Sequence, residues 1–132
     1  MGKTNRAALA ALALVGVAYA APAGAQSMTP MIGKVRSIDD AFAVRVFPKN
    51  PYRHRIRVQV RAYDHKFRPV RALISPSSFT LGGGNSRPVV VQVPFNGAKR
   101  RKVRICTESI PFPNQKVALR AQICGRFLAE RY

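Results

Sequence analysis

The sequence predicts an all-β protein of the two-sheet sandwich class, and three observations predict it. The first is the stretch from Arg53 to Tyr63, whose even positions His54, Ile56, Val58, Val60 and Ala62 are mostly apolar. Its odd positions, Arg53, Arg55, Arg57, Gln59, Arg61 and Tyr63, are polar or basic apart from the amphipathic tyrosine. Side chains alternate across a strand, so this segment has one face for a core and one carrying four arginines. A helix scatters those arginines around its circumference. The second observation is that six to eight short segments of this kind follow one another, separated by turn signals. The third is that helical periodicity is absent after Ala25. Short strands in that number suit an immunoglobulin-like β-sandwich of about seven strands, with a barrel as the alternative.

The chain opens on a targeting pattern. Lys3 and Arg6 make a positive start, Ala7 to Ala18 is an apolar run, and small residues recur at Ala18-Tyr19-Ala20 and Ala23-Gly24-Ala25. This is the pattern of a secretory signal peptide over residues 1–25, cleaved after Ala25 or, as second choice, after Ala20. The run is too short to span a bilayer, and no later stretch is long enough. Residues 26–132 then make one exported domain, and the expected compartment is the periplasm.

Charge bounds the partners. The chain carries 23 Lys and Arg against five acids, and of the cations only Lys3 and Arg6 fall in the leader. Such an excess favours polyanions. The basic residues alternate with apolar ones rather than forming a run, which argues for a folded face and against a disordered tail. Export argues against nucleic acid and for the anions of an envelope, such as lipopolysaccharide or acidic polysaccharide.

The elements follow in order. Gln26 to Pro30 reads as a loose terminus, and Met31 to Ile38 as a short first strand ending at an Asp39-Asp40 turn. Phe42, Val44 and Val46 alternate with Ala43 and Arg45 in a second strand that Pro48 stops. Lys49-Asn50-Pro51 turns the chain into the 53–63 strand, where His54 falls in the core-facing register. Asp64-His65-Lys66 is the next turn. Pro76 interrupts the segment Leu73 to Leu81, so Ile74, Phe79 and Leu81 reach the core from an edge or a crossing segment. Gly82 to Ser86 is a turn; no Lys-Ser/Thr or helical pattern follows that suits a phosphate loop. Val89, Val91 and Val93 form a strand between Pro88 and Pro94, and Asn96-Gly97 is a strong turn signal. Arg101 to Thr107 turns Val103 and Ile105 to one face, with Lys102, Arg104 and Cys106 on the other. The last strand starts at Val117, with Val117, Leu119, Ala121 and Ile123 toward the core and Arg120, Gln122 and Cys124 on the polar face.

Cys106 and Cys124 are the two cysteines, and in an oxidising compartment such a pair is expected to be a disulfide. A metal pair lacks further ligands near either one. Placing the two opposite each other in an antiparallel hairpin centres the turn near Gln115, within Asn114-Gln115-Lys116. Both cysteines then share the polar face, as directly opposed residues must.

No catalytic constellation emerges, and neither an enzyme nor a cofactor is expected. No pair of acids is spaced for general acid–base work, and Ser75, Ser77 and Ser78 lack a nucleophile elbow. What remains for function is the sheet edges and the basic face. The candidate basic face is Arg53, Arg55, Arg57, Arg61, Lys102, Arg104, Arg120 and Arg126, which neighbouring strands can merge into a surface for anionic polymer.

Ile74 to Leu81, then a glycine turn and Ser86-Arg87-Pro88-Val89-Val90-Val91, resembles the N-terminal domain of periplasmic pilus-assembly chaperones of the chaperone–usher class. Glu108-Ser109-Ile110-Pro111 is similar to that family's acidic and Ile-Pro elements, and Asn114 through Ile123 to its last N-domain strand. The resemblance implies an immunoglobulin-like domain that lends its last strand to a pilin or other surface-fibre subunit, with an usher as a further partner. Val117, Leu119, Ala121 and Ile123 then form the subunit-binding strand. On this alignment the family's subunit-anchoring lysine falls at Cys124, and Arg36 stands for its partner arginine. The chain ends at Tyr132, about where the family's second domain begins.

Overall fold

The computed structural model describes residues 27–110, 112 and 120–132. The expected leader, the turn at Asn114–Lys116 and the strand residues Val117 and Leu119 lie outside the described residues. Nine strands occur among the rest: β1 (Ser27–Thr29), β2 (Ile32–Ser37), β3 (Ala41–Lys49), β4 (Ile56–Asp64), β5 (Leu73–Ser75), β6 (Ser78–Leu81), β7 (Val89–Pro94), β8 (Arg100–Ile110) and β9 (Gln122–Arg131). They make two sheets, ordered β1-β3-β7-β5 and β2-β9-β8-β4-β6. All pairings are antiparallel except β2 with β9, which is parallel.

Nine strands and about seven reconcile at two prolines. β1 and β2 flank Pro30, and β5 and β6 flank Pro76; each pair is one run of chain that leaves one sheet and joins the other. Proline has no N–H for the ladder, so pairing stops there and the chain is free to cross. The immunoglobulin-like sandwich is therefore the fold.

The core is the contact between the two inner faces. Val44, Val46, Val89, Val91 and Val93 come from the four-stranded sheet, and Val58, Val60, Val103, Ile105 and Phe127 from the five-stranded one. These are the alternating positions of their strands, and β-branched side chains suit a pleated face packed against another. Phe42 and Phe95 close one end with ring centroids 5.0 Å apart.

Three expectations need correction. Gln26 lies outside the described residues, and from Ser27 on the terminus is not loose: Ser27–Thr29 pairs with the end of β3, and Met28 is buried, its sulfur 3.0 Å from the Thr107 hydroxyl. Three residues are too few to show a period, so only the tertiary contact reveals that strand. Pro48 does not stop β3, which runs on to Lys49 because Met28 pairs opposite Pro48. His54 does not face the core. It is exposed, stacked on Tyr52 with ring centroids 5.1 Å apart, because the ladder begins only at Ile56.

Asn96 and Gly97 both have positive φ, as their dipeptide predicts, yet the turn is not a hairpin. It carries the chain from β7 in one sheet to β8 in the other.

The turn after β4 is organised by the Asp64 carboxylate. Its Oδ1 accepts the backbone N–H of Lys66 at 2.8 Å and of Arg68 at 2.9 Å, and Oδ2 accepts Arg68 Nε at 2.8 Å. The Arg68 backbone N–H is the largest cause that lowers the Asp64 pKa, from its ordinary 3.8 to about 2; partial burial opposes it, and the Arg68 side chain and Lys66 N–H add to it. Glu130 is lowered too, first by Lys34 and then by Arg100 and Arg36. A carboxyl more acidic in the folded state stabilises the fold above its unfolded pKa, and that stability is lost as pH falls through the folded one. Thermal midpoints are therefore expected to fall between about pH 4 and about pH 2. The Asp64→Asn variant should show a shallower fall over that window. A wild-type midpoint flat across it would contradict the assignment.

Candidate functional site

β9 is the strand that the sequence singled out, and its two edges differ. One edge is paired with β8 along its length, from Gln122 opposite Glu108 to Glu130 opposite Arg100. The other edge meets β2 only from Arg126 to Arg131. The start of β9, from Gln122 to Cys124, has no strand on that side among the described residues.

The direction of the free groups follows from the register. Cys106 and Cys124 are directly opposite, with Cα atoms 4.0 Å apart, the close spacing of a pair that exchanges no backbone hydrogen bonds. Ser109 N–H donates to the Ala121 carbonyl at 2.9 Å, so the odd residues of this segment point their backbone at β8. Arg126 N–H points the opposite way and donates to the Met31 carbonyl at 2.8 Å. By this alternation Gln122 and Cys124 aim N–H and C=O at the open edge, which is a template for another strand.

Of the expected subunit-binding residues, Ala121 and Ile123 are half-buried and continue the row of Gly125, Phe127 and Ala129. Val117 and Leu119 lie outside the described residues. The disulfide joins Cys106 to Cys124 in the register expected from the sequence. It ties β9 to β8 directly beside the open edge. Cys124 therefore offers no cation, and Arg36 sits on β2 with its Nε 3.7 Å from a Glu130 oxygen.

The basic residues divide. Arg57 and Arg61 on β4, Lys102 and Arg104 on β8 and Arg126 on β9 share the outer face of the five-stranded sheet. Arg120 lies just before β9, with a guanidinium nitrogen 3.4 Å from a Glu108 oxygen. Arg53 and Arg55 do not join the face, because they precede the start of β4 in an exposed loop. Lys34, Arg36 and Arg100 join it instead, and all three surround Glu130. Their alternation is visible in the sequence, but the parallel pairing of β2 with β9 joins segments almost a whole chain apart.

Asn50 was also missed, since Lys49-Asn50-Pro51 reads as a plain turn. It is wholly buried. Its Nδ2 donates toward the carbonyls of His54 at 2.7 Å and of Leu81 and Gly82 at 3.1 Å, while Oδ1 accepts Tyr52 N–H at 2.9 Å. The side chain thus ties the loop before β4 to the turn after β6. Among the described residues no group of three or more His, Cys, Asp or Glu is placed to hold a metal ion.

No family model and no curated protein matches this sequence. Solved structures do match. The complex of Salmonella enterica SafA pilin with the SafB chaperone aligns with TM-score 0.67 at 14% identity, over 81% of this chain and 54% of that one. The E. coli chaperone DraB aligns with TM-score 0.64 at 17% identity, over 81% and 55%. A PapD-like domain of human CEP192 aligns with TM-score 0.60 at 10% identity, over 83% and 86%. The chain spans about half the length of the two chaperone structures. These likenesses establish the architecture: this chain has the immunoglobulin-like fold found in pilus chaperones of the chaperone–usher class.

Proposed function

We propose that this protein is a periplasmic assembly factor that holds a surface-fibre subunit by β-strand addition along β9. The observation that carries the reading is the edge at Gln122–Cys124, which no described strand covers and where the backbone groups of Gln122 and Cys124 point away from β8. A guest strand there gains main-chain hydrogen bonds, and side chains from the Ala121 and Ile123 row provide the knobs that select it. The likeness to a chaperone in complex with a pilin supports a partner of that kind. Residues 1–25 serve as the export signal in this proposal, residues 26–132 as the working domain, and an usher as a downstream partner. Val117 and Leu119 are the further subunit-binding residues in this proposal.

The test uses the direction of one N–H. Gln122→Pro removes a donor on the open edge while sparing the bonds to β8, since proline is tolerated on an edge strand. Affinity capture from periplasm, with partners identified by mass spectrometry, is expected to recover a fibre subunit with the wild type. The variant should keep its circular dichroism spectrum and lose that subunit. Val117→Thr combined with Leu119→Thr should behave likewise. Undiminished capture by folded Gln122→Pro overturns the reading.

A further inference from the structure

The outer face of the five-stranded sheet holds a feature that strand addition at its edge does not use. Arg104 and Arg126 are direct partners across β8 and β9, and like charges in that position repel. Neither belongs to an ion pair among the described residues. The Arg104 Nε is buried without a hydrogen-bond partner there, and its guanidinium lies 4.3 Å from the centre of the Phe67 ring. In the next row Lys34 and Lys102 stand on either side of Leu128, Lys34 being paired with Glu130 at 3.1 Å.

Apolar groups are interleaved with these cations. Ile32 is the partner of Arg126 on β2 and is 70% exposed, and Phe67 beside Arg104 is 53% exposed. Beside Ile32 and Arg104 runs an open groove of about 430 Å³ lined by Ile32, His65, Lys102, Arg104, Arg126 and Leu128, with no acid in its wall. A solvated charged face does not need exposed aliphatic and aromatic side chains between its cations. A surface that meets phosphates and acyl chains together does.

We propose that this face docks on an anionic lipid surface, with Lys102, Arg104 and Arg126 against headgroup phosphates and Ile32 and Phe67 entering the acyl boundary. Charge complementarity selects the headgroup, and the exposed apolar pair separates a membrane from a soluble polyanion. The proposal is independent of strand addition, because the face and the open β9 edge are different surfaces.

The experiment is flotation with vesicles of phosphatidylglycerol and phosphatidylcholine, compared with phosphatidylcholine alone. Binding is expected only to the anionic vesicles and should weaken as salt rises. Lys102→Gln with Arg126→Gln should weaken it by roughly thirtyfold. Arg45→Gln with Lys49→Gln, an equal charge change on the other sheet, should leave it nearly intact. Ile32→Ser should reduce vesicle binding without changing the affinity for soluble polyphosphate. Equal losses from the two charge pairs would reduce the effect to net charge and overturn the proposal. An Ile32→Ser variant that binds vesicles as well as the wild type would assign the face to soluble polyanions. Gln122→Pro should retain vesicle binding, so failure of the assembly reading is seen separately.

Discussion

Replacing Asn50 with leucine is expected to lower stability by roughly 3–5 kcal/mol, read as the shift in a urea unfolding curve. The side chains are similar in size, so the loss comes from hydrogen bonds rather than from a cavity. Leucine leaves the carbonyls of His54, Leu81 and Gly82 and the N–H of Tyr52 without the partner that Asn50 gives them. Buried polar groups without partners pay their full desolvation cost. The backbone of Asn50 adds two bonds, its N–H to the Asn85 carbonyl and its carbonyl from Gly84 N–H, and these survive the substitution. The fold should therefore persist with a loosened loop. Gly83→Ala attacks the same clasp from the other side, since a Cβ there would stand 2.3 Å from the Arg53 carbonyl oxygen, in backbone that cannot swing away. Wild-type stability in Asn50→Leu would show that water replaces the clasp without loss, and in Gly83→Ala that the Arg53 backbone gives way freely.

The contrast between Asn50 and Val91 explains what was legible in the sequence. Val89, Val91 and Val93 announce their burial through a period of two, because the pleat alone fixes which side each faces. Asn50 announces nothing. Its four partners come from two separate segments, the loop before β4 and the end of β6 with its turn, and only the assembled sandwich brings them to one side chain. The same distinction separates the two halves of the site. The Cys106–Cys124 register could be read because both strands belong to one hairpin and share parity. The extent of the open edge could not, since it is set by where β2 begins alongside β9, at the far end of the chain. The basic face was legible residue by residue on β4 and β8. It was misjudged at Arg53 and Arg55, where Asn50 holds the preceding loop off the ladder until Ile56.

Removing the disulfide is expected to cost about 3 kcal/mol, the chain-entropy value for a loop of this size. Cys106 and Cys124 are 18 residues apart, and their bond restrains the unfolded chain across the segment that joins β8 to β9. The folded state loses something more specific. β2 supports β9 only from Arg126 onward, so Gln122–Cys124 is held by β8 on one side and by the sulfur bridge. Without the bridge that end of β9 should fray before the rest of the sheet opens. The Cys106→Ala, Cys124→Ala variant should therefore show faster amide exchange at Ile123, whose N–H points at β8, and little change at Phe127 under conditions where both still fold. Reduced wild-type protein should match the variant, which separates the bridge from the packing of Cys106, a side chain buried to 1% exposure. An open edge works as a template only while its strand is extended, so reduction should also weaken capture of a guest strand. Lipid docking should survive it, since Arg104, Arg126 and Lys102 sit where β2 and β8 both hold β9. If reduction leaves both stability and exchange at Ile123 unchanged, β8 alone suffices to hold the edge, and the bridge has no part in presenting it.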